Sequence, residues 1–315
     1  LRNPVGVGNT LVSAAQATGS GLARNVRAAL PGGGSLVDFF SAAPGDVDTL
    51  RKLLVGTRND VTLWTGTAGE EKSVAWSEPL SLAAVKAVAG ANKCTVNDVL
   101  MGTVAGTLGA YLREECKFDT AGVVLRASVP VNLRAAEEPM TLGNKFGLMF
   151  VDLPVGVANP LQRAYAMHDT MRELKGSLQP QLTLTVLGTL GMLPAVVQGP
   201  AIELFSRKGS LVASNVPGPQ TSLCICGQRI SEMYFWVPQS GSIGVGVSIL
   251  SYAGKVFFGL IADRACVPEP QGVVDRLGAE FEQLLLAATV GALGLEQRDR
   301  ASRAASKPRQ RKPRA

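Results

Sequence analysis

Thr95-Val96-Asn97-Asp98-Val99-Leu100-Met101-Gly102 is the stretch on which the fold turns. Thr95 has the side chain of a helix N-cap, and Asp98 three residues on is the acidic half of a capping box, so a helix is predicted over Val96–Glu115. Gly102, Gly106 and Gly109 recur on one side of that helix. A glycine inside a helix costs about 1 kcal/mol relative to alanine. Three on one stripe therefore predict the close approach of another backbone. The uncharged part of the helix is shorter than the ~20 residues that cross a bilayer, and it is expected to be buried in protein.

Upstream, Lys72–Pro79 is predicted to be a short strand with Val74 and Trp76 on one face, and Ser81 to cap a helix reaching Ala89. Residues 1–70 are Gly- and Ala-rich and weakly patterned, with a helix expected over Thr10–Ala29. Gly32-Gly33-Gly34 has no Lys-Ser/Thr after it, so it is not a phosphate loop. Downstream, Val123–Val131 and Leu142–Leu153 carry strands. Asn159–Ser177 is an amphipathic helix with Leu161, Ala164, Met167, Met171 and Leu174 inward, and His168 on that side is expected as a satisfied core histidine. Ser177–Ile202 has no charge, but Pro180, Gly188, Gly191, Pro194, Gly199 and Pro200 interrupt it. A broken, buried or lipid-facing helix pair fits better than a span. Leu211–Ser214, Ile243–Tyr252 and Lys255–Ala262 alternate as strands, the last two joined at Ala253-Gly254, and Gln271–Ala288 is a closing helix. Strands and helices without regular alternation predict an α+β fold.

Composition removes several function classes. Hydrophobic residues are 46% and charged residues 18% of 315, so a core can form and general disorder is excluded. The net charge of +6 sits in residues 296–315, which hold eight Lys/Arg against Glu296 and Asp299; the body is neutral. That tail has no aromatic residue on which bases could stack, so no specific nucleic-acid partner is expected. A single histidine, His168, excludes a multi-histidine metal centre. The five cysteines are scattered, and Cys224-x-Cys226 lacks the two-residue spacer of redox and zinc motifs. They are expected to be buried thiols in a reducing compartment. No signal peptide is visible, and a start at Leu1 without Met suggests an incomplete chain.

Four signatures in order carry a resemblance. Thr95–Leu100 opens the long helix, Ser128-Val129-Pro130-Val131-Asn132-Leu133-Arg134 ends a strand, Leu142-Gly143-Asn144 follows, and Ser214-Asn215-Val216-Pro217-Gly218-Pro219 comes later. The series, from about Lys72 to Ala288, resembles the bifunctional wax ester synthase/diacylglycerol acyltransferase (WS/DGAT) family of CoA-dependent acyltransferases. The resemblance implies the C-terminal lobe of a two-lobed, chloramphenicol-acetyltransferase-like fold, with a mixed sheet and flanking helices. Residues 1–70 would be crossover or remnant of the first lobe. Residues 71–290 would be the second lobe, with the family's C-terminal domain at about 142–290, and 291–315 a disordered basic tail.

The reaction so implied is acyl transfer from acyl-CoA to diacylglycerol or a long-chain alcohol, giving triacylglycerol or wax ester. No cofactor, metal or covalent acyl-enzyme is implied, acyl-CoA being a substrate. The family's catalytic His-His-x-x-x-Asp-Gly is absent from this sequence, and His168-Asp169 does not fit it. Such chemistry needs a base for the alcohol proton and donors for the oxyanion, so this chain alone is expected to be inactive. The alternative is a non-catalytic acyl-, CoA- or lipid-binding module. Asn97 and Asp98 match the family's Asn-Asp motif, either as supporting residues at the channel or, for Asp98, as a cap alone. Arg134 is a candidate phosphate contact or a partner of Glu137 or Glu138; Asn132 stands where the family usually has Ser. Gly143 and Asn144 are substrate-binding candidates or a bulge. Ser214 or Asn215 would be a donor beside the acyl group, placed by a type II turn at Pro217-Gly218. Attachment to the cytoplasmic face of a membrane, or to a lipid droplet, is expected to be peripheral, the basic tail meeting anionic headgroups.

Overall fold

The computed structural model describes residues 64, 69–134, 138, 145–177, 179–191, 198, 206–239 and 241–305. The expected helix at Thr10–Ala29, and both Gly143 and Asn144, lie outside them. The chain divides into two compact units. One comprises Leu1–Arg58, Pro130–Met149 and Gly176–Lys208; the other comprises Asn59–Val129, Phe150–Lys175 and Gly209–Ala315.

The larger unit is organised by a mixed sheet. Its strands are β1 (Lys72–Trp76), β2 (Leu80–Ser81), β3 (Leu125–Asn132), β4 (Phe146–Leu153), β5 (Leu211–Pro217), β8 (Val245–Tyr252) and β9 (Lys255–Asp263), in the order β1-β9-β8-β5-β3-β4, with β2 also on β9. The unit boundary divides β3 after Val129 and β4 after Met149. β5 runs parallel to β3 and to β8, whereas β8–β9 and β9–β1 are antiparallel. The β8–β9 hairpin turns on Ala253 (φ 48°) and Gly254 (φ 80°), both left-handed as a two-residue primed turn requires. A separate small hairpin pairs β6 (Cys224–Ile225) with β7 (Gln228–Arg229).

Alternation decides the two faces. Val245, Val247 and Ile249 of β8 and Leu211 and Ala213 of β5 are buried on one face. On the other, Leu250, Tyr252 and Phe257 form a cluster covered by Ile230, Met233, Tyr234 and Phe235. Ser248 points there as well, donating from Oγ to the Phe235 and Gly259 carbonyls.

The helices are α1 (Leu82–Ala91), α2 (Val96–Glu114), α3 (Pro160–Lys175), α5 (Pro270–Val274) and α6 (Arg276–Ala305) in this unit, with α4 (Gln179–Gly191) in the other. Ser81 caps α1, accepting from the Ala84 amide at 3.3 Å, and Thr95 and Asp98 close the capping box of α2. Both ends follow the sequence reading. The closing helix does not: it runs on to Ala305, so residues 291–305 of the expected disordered tail are helical.

The glycine stripe of α2 is an approach surface. A Cβ on Gly102 would sit 3.3 Å from the Ala164 Cα, and one on Gly109 would overlap the Val155 carbonyl. One on Gly106 would overlap the Arg163 guanidinium and the Glu280 carboxylate. Arg163, 2% exposed, donates to Glu280 at 2.5 Å and to the Gly102 and Val157 carbonyls at 2.9 Å each. The inward side of α3 therefore carries a buried cation that the apolar pattern concealed, while Leu161 and Leu174 are only half-buried.

In the smaller unit, α4 starts on the first half of β4. Thr183 Oγ1 donates to the Leu148 carbonyl at 2.7 Å, and a Cβ on Gly147 would overlap the Pro180 carbonyl. Among the described residues no helix is long and apolar enough to cross a membrane.

Candidate functional site

The first turn of α2 gathers most of the unusual polar chemistry. Thr95 Oγ1 accepts from the Asp98 amide at 3.2 Å, and Asp98 Oδ2 accepts from the Thr95 amide at 2.8 Å. This box fixes the backbone, and the residue between its halves, Asn97, is free to point elsewhere. Asn97 Oδ1 accepts from Asn215 Nδ2 at 2.9 Å, across 118 residues of chain. The bond orients both amides and leaves the Asn97 Nδ2 as a donor beside the helix N-terminus, where negative charge is favoured.

Ser214 and Asn215 are separated by that geometry. Successive strand residues face opposite sides of a sheet, so Asn215 shares the Leu211 and Ala213 face and reaches α2. Ser214 is in register with Ser248 on the opposite face. Asn215 therefore meets Asn97, and Ser214 faces away from it.

The turn expected to place them also differs. Gly218 does not have a positive φ, and β5 continues through Pro217. The Gly218 amide donates to the Ser251 carbonyl at 2.8 Å, and a Cβ there would meet that same oxygen at 2.5 Å. Glycine is required for close approach to β8, not for a type II turn.

Asp98 does more than cap. It is 1% exposed, and its Oδ2 also meets His168 Nδ1 at 2.8 Å, while Oδ1 is buried without a hydrogen-bond partner. His168 has a side chain 32% exposed, so it is a satisfied histidine but not a core one. Cys94, immediately before the N-cap, is half-buried, and its Sγ lies 3.5 Å from the Asn92 carbonyl. Burial, then the carboxylates of Asp98 and Asp169, push this thiol up from its ordinary range. Sequence reading missed the pairing because Asp98 and His168 are 70 residues apart. The only local signal was Cys94 preceding the cap.

Arg134 belongs to the other unit. Its backbone amide donates to Asn132 Oδ1 at 3.0 Å, so Asn132 supplies a local turn. Glu138 pairs with Lys145 at 2.7 Å. The cysteines depart from expectation in their burial. Cys224 and Cys226 are exposed on the β6–β7 hairpin, Cys94, Cys116 and Cys266 are half-buried, and all five are free.

Comparison with known proteins places these elements. The WS/DGAT C-terminal domain matches residues 142–285, a range that includes Asn215 and the neighbouring strand β8. The chain carries a WS/DGAT C-terminal domain. A probable diacylglycerol O-acyltransferase of Mycobacterium tuberculosis is 32% identical over 228 residues, 68% of this chain and 48% of the relative. A putative diacylglycerol O-acyltransferase of Mycobacterium bovis is 30% identical over 208 residues, 65% of this chain and 45% of its own. The chain spans about half the length of the curated relatives it matches. Among solved structures, the wax ester synthase/diacylglycerol acyltransferase from Marinobacter aquaeolei VT8 superposes with a TM-score of 0.57 at 23% identity, covering 77% of this chain and 56% of that one. The fold is that of this WS/DGAT enzyme: α+β, with a mixed sheet and flanking helices.

Proposed function

We propose that the chain supplies the second half of an acyl-CoA-dependent O-acyltransferase that makes triacylglycerol or wax ester. The observation that carries this reading is the Asn97–Asn215 hydrogen bond. It joins the Asn-Asp helix start to the Ser-Asn-Val-Pro-Gly strand, two of the signatures shared with the family, and gives both a common geometric purpose. Of the two, Asn215 lies within the span that matches the WS/DGAT C-terminal domain.

In the proposed chemistry a histidine base, supplied by a His-His-x-x-x-Asp-Gly half, takes the acceptor hydroxyl proton as the oxygen attacks the thioester carbonyl. CoA leaves as the thiol, so atoms balance without a cofactor. In this reading the Asn97 Nδ2 and the α2 N-terminus favour charge developing on the thioester oxygen. Arg134, Gly143 and Asn144 remain proposed substrate contacts. Acyl-CoA and diacylglycerol or a long-chain alcohol are the proposed substrates, met at a lipid surface that the protein touches peripherally.

The test is reconstitution. The chain is co-expressed with the part of the Mycobacterium tuberculosis relative that it does not span, and labelled acyl transfer from acyl-CoA to diacylglycerol is measured. Product from the pair, and none from either half, is expected. A folded pair that binds acyl-CoA without turnover would contradict the enzyme reading and favour the binding-module alternative.

A further inference from the structure

Cys94, Asp98 and His168 bring a sulfur, a carboxylate oxygen and an imidazole nitrogen within 4.8 Å of one another. They come from two places in the chain: the two-residue approach to α2 with its third residue, and the middle of α3. The geometry points to a binding site for a borderline divalent cation, of which Zn2+ is the natural occupant.

The donor set selects the cation. A thiolate, a carboxylate and an imidazole are the three ligand types zinc accepts, at about 2.3, 2.0–2.2 and 2.0–2.1 Å. A tetrahedral site of that size places its donors roughly 3.3–3.8 Å apart, so this cluster needs side-chain adjustments of about 1 Å and no backbone rearrangement. Mg2+ and Ca2+ take oxygen ligands, and the sulfur and nitrogen here disfavour them.

A second observation concerns the carboxylate at the centre of this cluster. Asp98 Oδ1 is buried, on a side chain 1% exposed, and has no hydrogen-bond partner. The other oxygen of the same carboxylate already serves the Thr95 amide and His168. A buried carboxylate oxygen left without a partner is costly, and a coordinated cation would satisfy it while the helix cap stays intact. Cys94 and His168 are half-buried, which leaves an approach from solvent. Three protein ligands leave the fourth position for water or an anionic group. Binding releases the Cys94 proton to solvent, and the imidazole binds through a nitrogen lone pair.

The sequence reading implied no metal because it weighed multi-histidine and paired-cysteine sets, and this mixed set is assembled only by the α2–α3 contact. The inference does not depend on the acyltransferase reading.

The test uses the full chain carrying Cys224→Ser and Cys226→Ser, which removes the two exposed thiols as competitors. It is titrated anaerobically with CoCl2, and the thiolate-to-cobalt absorption is followed, then displaced with ZnCl2. One cation per chain is expected. The band should disappear in Cys94→Ser, and His168→Gln should weaken Zn2+ by more than the roughly 10–100-fold that loss of a supporting residue costs. Both changes leave the Thr95–Asp98 cap in place, and far-UV circular dichroism checks that it has folded. Cys94→Ala serves if Cys94→Ser does not fold. Absence of the band in the folded parent, or its survival in the folded Cys94 variant, overturns the proposal.

Discussion

Two regions of the same helix bury charge in opposite ways. In the middle of α2, Gly106 makes room for Arg163 and Glu280, and the guanidinium is bonded to that carboxylate and to two backbone carbonyls. In the first turn, Asp98 is as deeply buried but leaves one oxygen without a partner, and Asn97 spends its side chain on a strand residue far along the sequence. The first arrangement satisfies its buried charge. The second leaves a buried carboxylate oxygen without a hydrogen bond, and such groups concentrate at functional sites.

The contrast breaks most visibly at the buried ion pair. Glu280→Ala should lower stability by about 3–5 kcal/mol, because it leaves the Arg163 charge buried and unpaired. Urea unfolding followed by circular dichroism measures this. A loss below 1 kcal/mol would mean that the middle of the helix is no more committed to structure than its start.

A second comparison lies within the first turn. Thr95→Ala removes the acceptor for the Asp98 amide and should cost about 1 kcal/mol. Asn215→Ala should cost a similar ~1 kcal/mol of stability, yet lower acyl transfer in the reconstituted pair by about 100-fold, because it releases the Asn97 amide whose donor it orients. Equal effects of the two changes on activity would dissolve the distinction between cap and site.

At the sheet edge, Lys72 pairs with buried Asp263 at 2.6 Å. Burial alone would raise this carboxyl, but the bonds from Lys72 and the Ala265 and Gly69 backbones outweigh it and hold the group below its ordinary value of 3.8. Its contribution to stability is therefore full above that value and is lost as pH falls through the lower folded one. Asp263→Asn should flatten this acid limb, as unfolding free energies measured below about pH 4 would show. The smallest effect belongs to the partly exposed Arg126–Asp152 pair at 2.7 Å, where Asp152→Ala should cost about 0–1 kcal/mol.

What the sequence made legible was local. The Thr95–Asp98 cap, the Ser81 cap and the Ala253-Gly254 turn depend on residues within four positions, and each stands where its spacing placed it. The glycine stripe announced a close approach, but not that Arg163 would fill it, because an apolar helix pattern carries no mark for a paired buried cation. Pro217-Gly218 misled since the same dipeptide suits a turn and a tight strand contact, and only the Ser251 carbonyl decides between them. Asn97 with Asn215 and Asp98 with His168 were invisible for the same reason: 118 and 70 residues separate partners that only the folded sheet and helices bring together.

The most direct measurement is a double-mutant cycle on Asn97 and Asn215, read as kcat for acyl transfer in the reconstituted pair and as unfolding free energy in the chain. The account predicts that Asn97→Ala, Asn215→Ala and the double change lower kcat by the same factor, with about 1 kcal/mol lost in stability, because the two amides act as one unit. Independent multiplication of the two losses, or full activity in either folded single variant, would contradict it.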